Sequence, residues 1–356
     1  MSKLIPESIA TQPAIMRYSN LILCGLVIAA LQPAFAQVPA IQQVDSVQQR
    51  RQLDQSALDQ NETSAAPELF AGETSDVGPQ SVVKRAPRKS LFEASADVQF
   101  FHTDNMFLAD SGKQSTEVLV STVQFALAPT PYLLGDGQFS PRIGYRHQWF
   151  NYGLASDKSI DVFDFNTATF RTAKLSEFDF NVQTLFADAR WQRGNWIFGA
   201  GFDYQRLLDS DGYDQFYRES VPRWEVRRIF RLCDSSALGI AYEGDYRFTD
   251  SDFPPLGADS DFNDRTDHSL VVNYSYALCA HAVVQPYYRF QYTRYTSGEN
   301  RNDYLNTFGL ALHCPVNRNI AFRAFVGYDI LRTDSQIAQD YNKLDVGGGV
   351  SLIVRF

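Results

Sequence analysis

Positive charge is in short supply: 32 Lys and Arg stand against 41 Asp and Glu in 356 residues, a formal net charge of −9. That balance argues against a nucleic-acid-binding surface, which needs a basic face. Cysteine is scarce too, with four in the chain and no Cys-x-x-Cys spacing of the metal-binding kind. Three of them, Cys233, Cys279 and Cys314, lie beyond the N-terminal apolar run. An odd number permits at most one disulfide in an oxidising compartment. Long apolar runs are also missing, and after Leu21 to Leu31 no stretch could cross a bilayer as a helix. Mean hydropathy is slightly negative, yet Phe (27) and Tyr (18) are abundant. Alternating strands reconcile the two, because each oily position is followed by a polar one.

The last sixteen residues carry that alternation most clearly. Val346, Gly348, Val350, Leu352, Val354 and Phe356 share one parity, and Asp345, Gly347, Gly349, Ser351 and Arg355 the other. One face suits lipid and the other a polar interior. A strand of this kind that stops on an aromatic resembles the closing strand of bacterial outer-membrane β-barrels. The resemblance implies that Phe356 belongs to the signal read by the barrel-assembly machinery.

Lys3 and Arg17 precede the apolar run, and Ala34-Phe35-Ala36 supplies small residues at −3 and −1 of a cleavage site. The expectation is a signal peptide over 1–36, with the mature chain starting near Gln37. The alternative of a transmembrane helix meets a run well short of the roughly 20 residues a bilayer demands. Cys24, preceded by Leu23 inside the run, is no lipobox cysteine, and a start at Met16 would give a leader of more usual length. Residues 37–89 are rich in Gln, Ser, Asp and Pro and poor in aromatics, and close on Lys84-Arg85-Ala86-Pro87-Arg88-Lys89. Little apolar surface is available there to offset chain entropy, so a disordered periplasmic leader is expected. A short Gln-rich helix over 41–60, contacting a periplasmic partner, is the alternative.

From residue 90 onward strands are expected at 90–107, 117–129, 138–153, 177–192, 195–208, 217–232, 236–249, 265–278, 281–296, 302–314, 319–332 and 341–356. Twelve is an even number, as a barrel with both ends in the periplasm requires. Connections after even strands are mostly tight, as at 193–195, 233–235, 278–280 and 315–318, with 130–137 the longest. Those after odd strands are longer and polar, above all 153–176 and 249–264. Short turns on one side and long loops on the other are the asymmetry of a transmembrane antiparallel up-and-down β-barrel, and a soluble β-sandwich gives no reason for it. The stretch Ser159 to Phe170 also alternates, and reads either as a loop excursion or as an added strand pair, giving twelve or fourteen strands.

Parity assigns faces. Trp196, Phe198, Ala200, Phe202 and Tyr204 point outward, as do Leu270, Val272, Tyr274 and Tyr276, and Phe322, Val326, Tyr328 and Ile330. Tyr246, Tyr276, Tyr292, Tyr304 and Tyr328 fall near strand ends, where interfacial girdles form. Around Thr184 to Ala187 the phase slips, which predicts a β-bulge. Pro222 and Pro286 lack an N–H for the ladder, which predicts bulges or rim positions.

Inward parity gathers charge: Arg142, Arg146, Arg190, Arg223, Arg227, Arg231, Arg247, Arg289 and Arg323 against Glu93, Asp97, Asp179, Asp188, Asp203, Glu225, Glu243, Asp245 and Asp329. Lumenal charges need water or partners, so either a hydrated pore or an internal salt-bridge network is implied. Arg223, Arg227 and Arg231 form a column with only Glu225 interleaved on that face, next to Asp245 and Arg247. Such a column suits anionic or sugar-acid solutes, because guanidinium groups grip carboxylates bidentately. Neutralisation of the arginines by facing carboxylates is the competing reading. The pattern over residues 90 to 356 is similar to porin-like outer-membrane barrels as a superfamily, with twelve-stranded monomeric channels for nucleosides or acidic sugars as nearest analogues. That likeness implies a channel for small solutes, without enzymatic activity or cofactor, embedded in outer-membrane lipid and lipopolysaccharide.

Two other functions stay open on the sequence. A structural or surface-interaction barrel would act through its leader and its loops, whose acidic 250–264 stretch could hold Ca²⁺ or the divalent ions bridging lipopolysaccharide. The motif His102-Thr103-Asp104-Asn105 looks like a degraded form of the His-x-Ser-Asn signature of outer-membrane lipid hydrolases such as phospholipase A. Asp104 stands where that family has its serine, so acyl-enzyme chemistry has no nucleophile.

Overall fold

The computed structural model describes residues 39–51, 90–154, 158–164, 169–252, 259–279, 281–335 and 338–356. The expected signal peptide and residues 52–89 lie outside the described residues.

One sheet closes on itself. Its strands are β1 (Phe92–Thr103), β2 (Thr116–Leu127), β4 (Gly137–Tyr152), β7 (Phe180–Arg193), β8 (Trp196–Asp209), β9 (Gln215–Cys233), β10 (Ser236–Ser251), β11 (Arg265–Cys279), β12 (Ala282–Tyr295), β13 (Asn302–Pro315), β14 (Ile320–Thr333) and β15 (Tyr341–Arg355). Each pairs antiparallel with its neighbours, and β1 pairs with both β2 and β15, which seals the ring at twelve strands. The short β3 (Tyr132–Leu134) folds only against the start of β4. At the seam, the amides of Leu91 and Phe92 donate to the Phe356 carbonyl and the Phe356 amide donates to Phe92. The rings of Phe92 and Phe356 stack 6.0 Å apart.

The outer wall is apolar where parity predicts. Phe198, Phe202, Leu270, Phe322, Val326, Val346, Val350 and Leu352 are all exposed. Their partners in alternation, among them Gln205, Ser269, Arg323, Asp329 and Asp345, are buried. None of the twelve barrel strands is left with an unpaired edge, and the wall that would meet solvent is oily. This is a transmembrane β-barrel of the bacterial outer-membrane type.

Two local expectations need correction, and one left open by the sequence is decided. No register shift accompanies Thr184 to Ala187 in either ladder of β7: Phe186 is buried and faces inward, so a large inward aromatic, not a bulge, broke the apparent phase. Pro222 and Pro286 sit at no bulge. The paired positions of β9 with β10 and of β11 with β12 are interrupted beside them, while the register continues unchanged on either side. Residues 159–174 form the hairpin β5 (Ser159–Asp164) and β6 (Thr169–Lys174), a separate two-stranded sheet in the β4–β7 loop. It is an excursion, and the barrel keeps twelve strands.

The largest difference concerns the leader. Residues 39–51, expected to be disordered in the periplasm, form a helix (α1) inside the barrel. Pro39 occupies its first described turn, where a missing N–H costs nothing. Ile41, Val44 and Val47 recur at helical spacing and are fully buried in the cluster of inward side chains Phe101, Val118, Phe150, Val182, Leu207, Tyr217 and Phe325. At 1.5 Å per residue the helix is about 20 Å long, most of the roughly 25 Å lipid band of such a barrel. Gln42 meets Tyr341 at the outer start of β15, and Arg51 reaches Gln124 near the inner end of β2. The helix therefore descends from the long-loop end toward the short-turn end.

Candidate functional site

The lumen is the one compartment where the sequence concentrates charge, and α1 divides it. On one side Asp45 lies 2.9 Å from Arg247 and 3.5 Å from Arg265. Arg247 is also within 3.3 Å of Glu219 and 3.1 Å of Asp245 and Asp267. On the other side Arg50 pairs with Asp345, and Lys343 bridges Asp345 (3.2 Å) and Asp329 (3.3 Å). Arg50 also lies over the rings of Phe101 and Phe325, at 4.7 and 4.4 Å. Five residues separate Asp45 from Arg50, about 140° around a helix at 100° per residue. Charge thus holds the helix from two directions, while the Ile41–Val44–Val47 stripe fixes it by packing. Gln48 adds a 2.9 Å hydrogen bond to Gln205, which itself donates to Glu219.

Most of the arginines expected to face the lumen do so, and they are partnered. Arg142 reaches Asp188 (3.1 Å) and Glu93 (3.7 Å). Arg223 reaches Asp203 (3.3 Å) and Asp188 (3.6 Å), its guanidinium lying across Gly201, where a Cβ would approach it to 2.8 Å. Arg227 pairs with Glu225 (2.6 Å) and Glu243 (3.7 Å), and Arg323 with Asp97 (2.8 Å). Asp245 lies beside Arg247. Arg231 is exposed at the short-turn end. Of the two readings the sequence left open, neutralisation holds for Arg223 and Arg227, because carboxylates on β7, β8 and β10 face them across the ladder, while Arg231 lies beyond these pairs. Two sites differ. Among the described residues, Arg289 contacts only the Ser269 hydroxyl (2.8 Å), leaving Nη1 without a partner, and Arg146 has no partner for Nε or Nη2.

Beneath the helix the lumen opens into a polar cavity of about 160 Å³, lined by Arg51, Arg142, Arg146, Arg190, Arg223, Arg227, Arg247 and Arg289 together with Asp45, Asp188, Asp203, Glu219, Glu225, Glu243 and Asp245. Toward the outer end aromatic and aliphatic side chains pack on α1, and a smaller space of about 50 Å³ remains between the helix and Arg265, Thr293, Asp303 and Tyr341.

The sequence reading missed Asp45, Arg50 and Arg51, along with their wall partners Arg265, Lys343 and Glu219. A signal existed in the helical spacing of Ile41, Val44 and Val47 after Pro39, but composition outweighed it. The lipase-like motif is taken up structurally. His102 is exposed and 3.6 Å from Glu117, and Asp104 accepts the Leu344 amide. Asn105 is buried, bonding Ala109 and Asn342. Among the described residues, His, Cys, Asp and Glu gather in no metal-holding group. The cysteines at the short-turn end are free.

No family model matches the chain, and no curated protein is similar to it at a meaningful level. Solved structures are similar in outline. An outer membrane channel from Pseudomonas putida shares 10% identity over 76% of this chain and 97% of its own, with a TM-score of 0.49. The β domain of the Bordetella autotransporter BrkA shares 12% over 74% and 99%, with a TM-score of 0.41. The KdgM porin in complex with disordered oligogalacturonate shares 12% over 72% and 98%, with a TM-score of 0.35. Likeness this distant says nothing of substrate, and the barrel assignment stands on the closed strand topology and the apolar outer wall.

Proposed function

We propose that this protein is an outer-membrane channel for small hydrophilic solutes, closed in the state described by its own N-terminal helix. The observation that carries the reading is the nature of the barrier. The inner wall carries charged side chains on every barrel strand but β2, and what obstructs it among the described residues is the helix 39–51, whose hydrogen bonds to the wall run between side chains: Gln42–Tyr341, Gln48–Gln205, Arg50–Asp345 and Asp45–Arg247. A helix of that length is marginal alone in water, so leaving the lumen and losing its fold would be one event. Twelve strands lie between eight, where side chains fill the interior, and sixteen, where an aqueous channel stands open. Removing the helix would leave a narrow wet passage.

Conductance in planar bilayers tests this. The full chain is expected to be mostly silent, with brief openings, and a chain lacking residues 39–51 is expected to conduct continuously. The apolar cluster around α1 favours a second reading, in which the lumen is sealed for good and the barrel acts as a structural or surface-interaction protein. A correctly folded, heat-modifiable deletion variant without conductance would support that reading and overturn the channel.

A further inference from the structure

We infer that the cavity beneath the helix is a binding site for a small, multiply charged oxyanion, held between the helix and the wall. The inference deepens the channel reading by naming what the lumen accepts.

The argument begins with unpaired charge. Arg146, on β4, projects into the cavity with no carboxylate among the described residues within ion-pair distance, and its Nε and Nη2 are enclosed and without hydrogen-bond partners there. The face of Phe186, 6.0 Å away, offers some compensation. A cation–π contact at that range supplies about 0.5–2 kcal/mol. Enclosing an ion costs several kcal/mol even after relaxation. Phe186 alone cannot settle the balance.

Arg289 repeats the situation from β12. Among the described residues its partner is the neutral Ser269 hydroxyl, at 3.1 Å from Nε and 2.8 Å from Nη2, while Nη1 is enclosed and unbonded. Arg51 brings a further guanidinium into the same space from the helix. The seven carboxylates of the lining are already engaged: Asp188 and Asp203 by Arg142 and Arg223, Glu225 and Glu243 by Arg227, and Asp45, Glu219 and Asp245 by Arg247. The cavity thus has donors in surplus, in an enclosed place where hydrogen bonds to charged groups are strong.

With the lining carboxylates already paired, the unmatched guanidinium groups of Arg146 and Arg289 around about 160 Å³ match a compact ligand with several acceptor oxygens, such as a carboxylate cluster or a phosphate. Guanidinium forks suit those oxygens and offer nothing to a cation. Because Arg51 rides on α1 and Arg146 on the wall, a bound oxyanion joins the two and stabilises the closed position.

The test is calorimetric titration of the full chain in neutral detergent at low salt, with citrate, inorganic phosphate and sucrose. Saturable binding of citrate alone would identify carboxylates as the ligand class, and of phosphate alone, phosphates. Binding of both supports the shared oxyanion chemistry. Sucrose is expected not to bind. Arg146→Gln should weaken the affinity about tenfold or more, the loss expected for a hydrogen bond to a charged group. Arg231→Gln, at the exposed end, should leave it unchanged. Should Arg146→Gln lose its heat-modifiable fold, Arg289→Gln serves in its place with the same expectation. Absence of saturable anion binding, wild-type affinity in the folded cavity variant, or equal loss in Arg231→Gln overturns the proposal. Binding is read without any current, so it can fail while the channel stands, and the channel can fail while binding stands.

Discussion

Arg247 is the residue on which the most lumenal charge converges, with Asp45, Glu219, Asp245 and Asp267 all within 3.3 Å. Removing a guanidinium from such a cluster leaves enclosed carboxylates facing one another, and breaking a buried pair typically costs about 3–5 kcal/mol. Arg247→Ala should therefore lower the temperature at which the folded band disappears on semi-native gels. It should also loosen α1 through Asp45. An unchanged transition would mean that water already screens this cluster. At this scale the sequence was informative about direction but not about partnership. Parity placed Arg142, Arg223, Arg227 and Arg323 inward, as observed. It could not supply the register between strands, and register sets Asp203 opposite Val221 and so next to Arg223.

Among the elements, β15 was the most legible, because a lipid-facing wall on one side and a polar lumen on the other leave alternation as the only workable pattern. The seam confirms its role, with Phe356 bonded to Leu91 and Phe92. Deleting Phe356, or replacing it with Asp, should reduce the amount of heat-modifiable barrel in outer-membrane fractions, and wild-type levels would contradict the assignment of β15 as the recognised closing strand. Sidedness is testable in the same way. An epitope inserted near residue 156, in the β4–β7 loop, should be labelled on intact cells, whereas one at Gly194, whose φ of +55° fits the tight β7–β8 turn, should not. Reversed labelling would invert the barrel. One element was ambiguous in the sequence and one was misread, each for an identifiable reason. The 159–174 hairpin alternates like a barrel strand yet pairs only with itself. Helix α1 looked like a solvated leader because its charged and amide side chains, Gln42, Asp45, Gln48, Arg50 and Arg51, signal water when counted by composition. Here they face a wall that is itself polar.

For the whole molecule, the central claim is that a polar conduit is closed by one removable helix. An outer-membrane barrel whose lumen is lined by Arg, Asp and Glu has the wall of a channel, and the same charges serve as the helix's docking contacts. Asp45 and Arg50 are held where permeating ions would otherwise meet Arg247 and Asp345. The most direct measurement tethers that helix and then releases it. With Cys233, Cys279 and Cys314 replaced by serine, Gln48→Cys and Gln205→Cys, whose parent side chains are hydrogen-bonded at 2.9 Å, can be joined by a short, reductant-cleavable bismaleimide and the product recorded in planar bilayers. The account predicts silence while the tether is intact and recurrent openings after reductant is added to the same membrane. Equal conductance before and after cleavage, or none in either state, would contradict it.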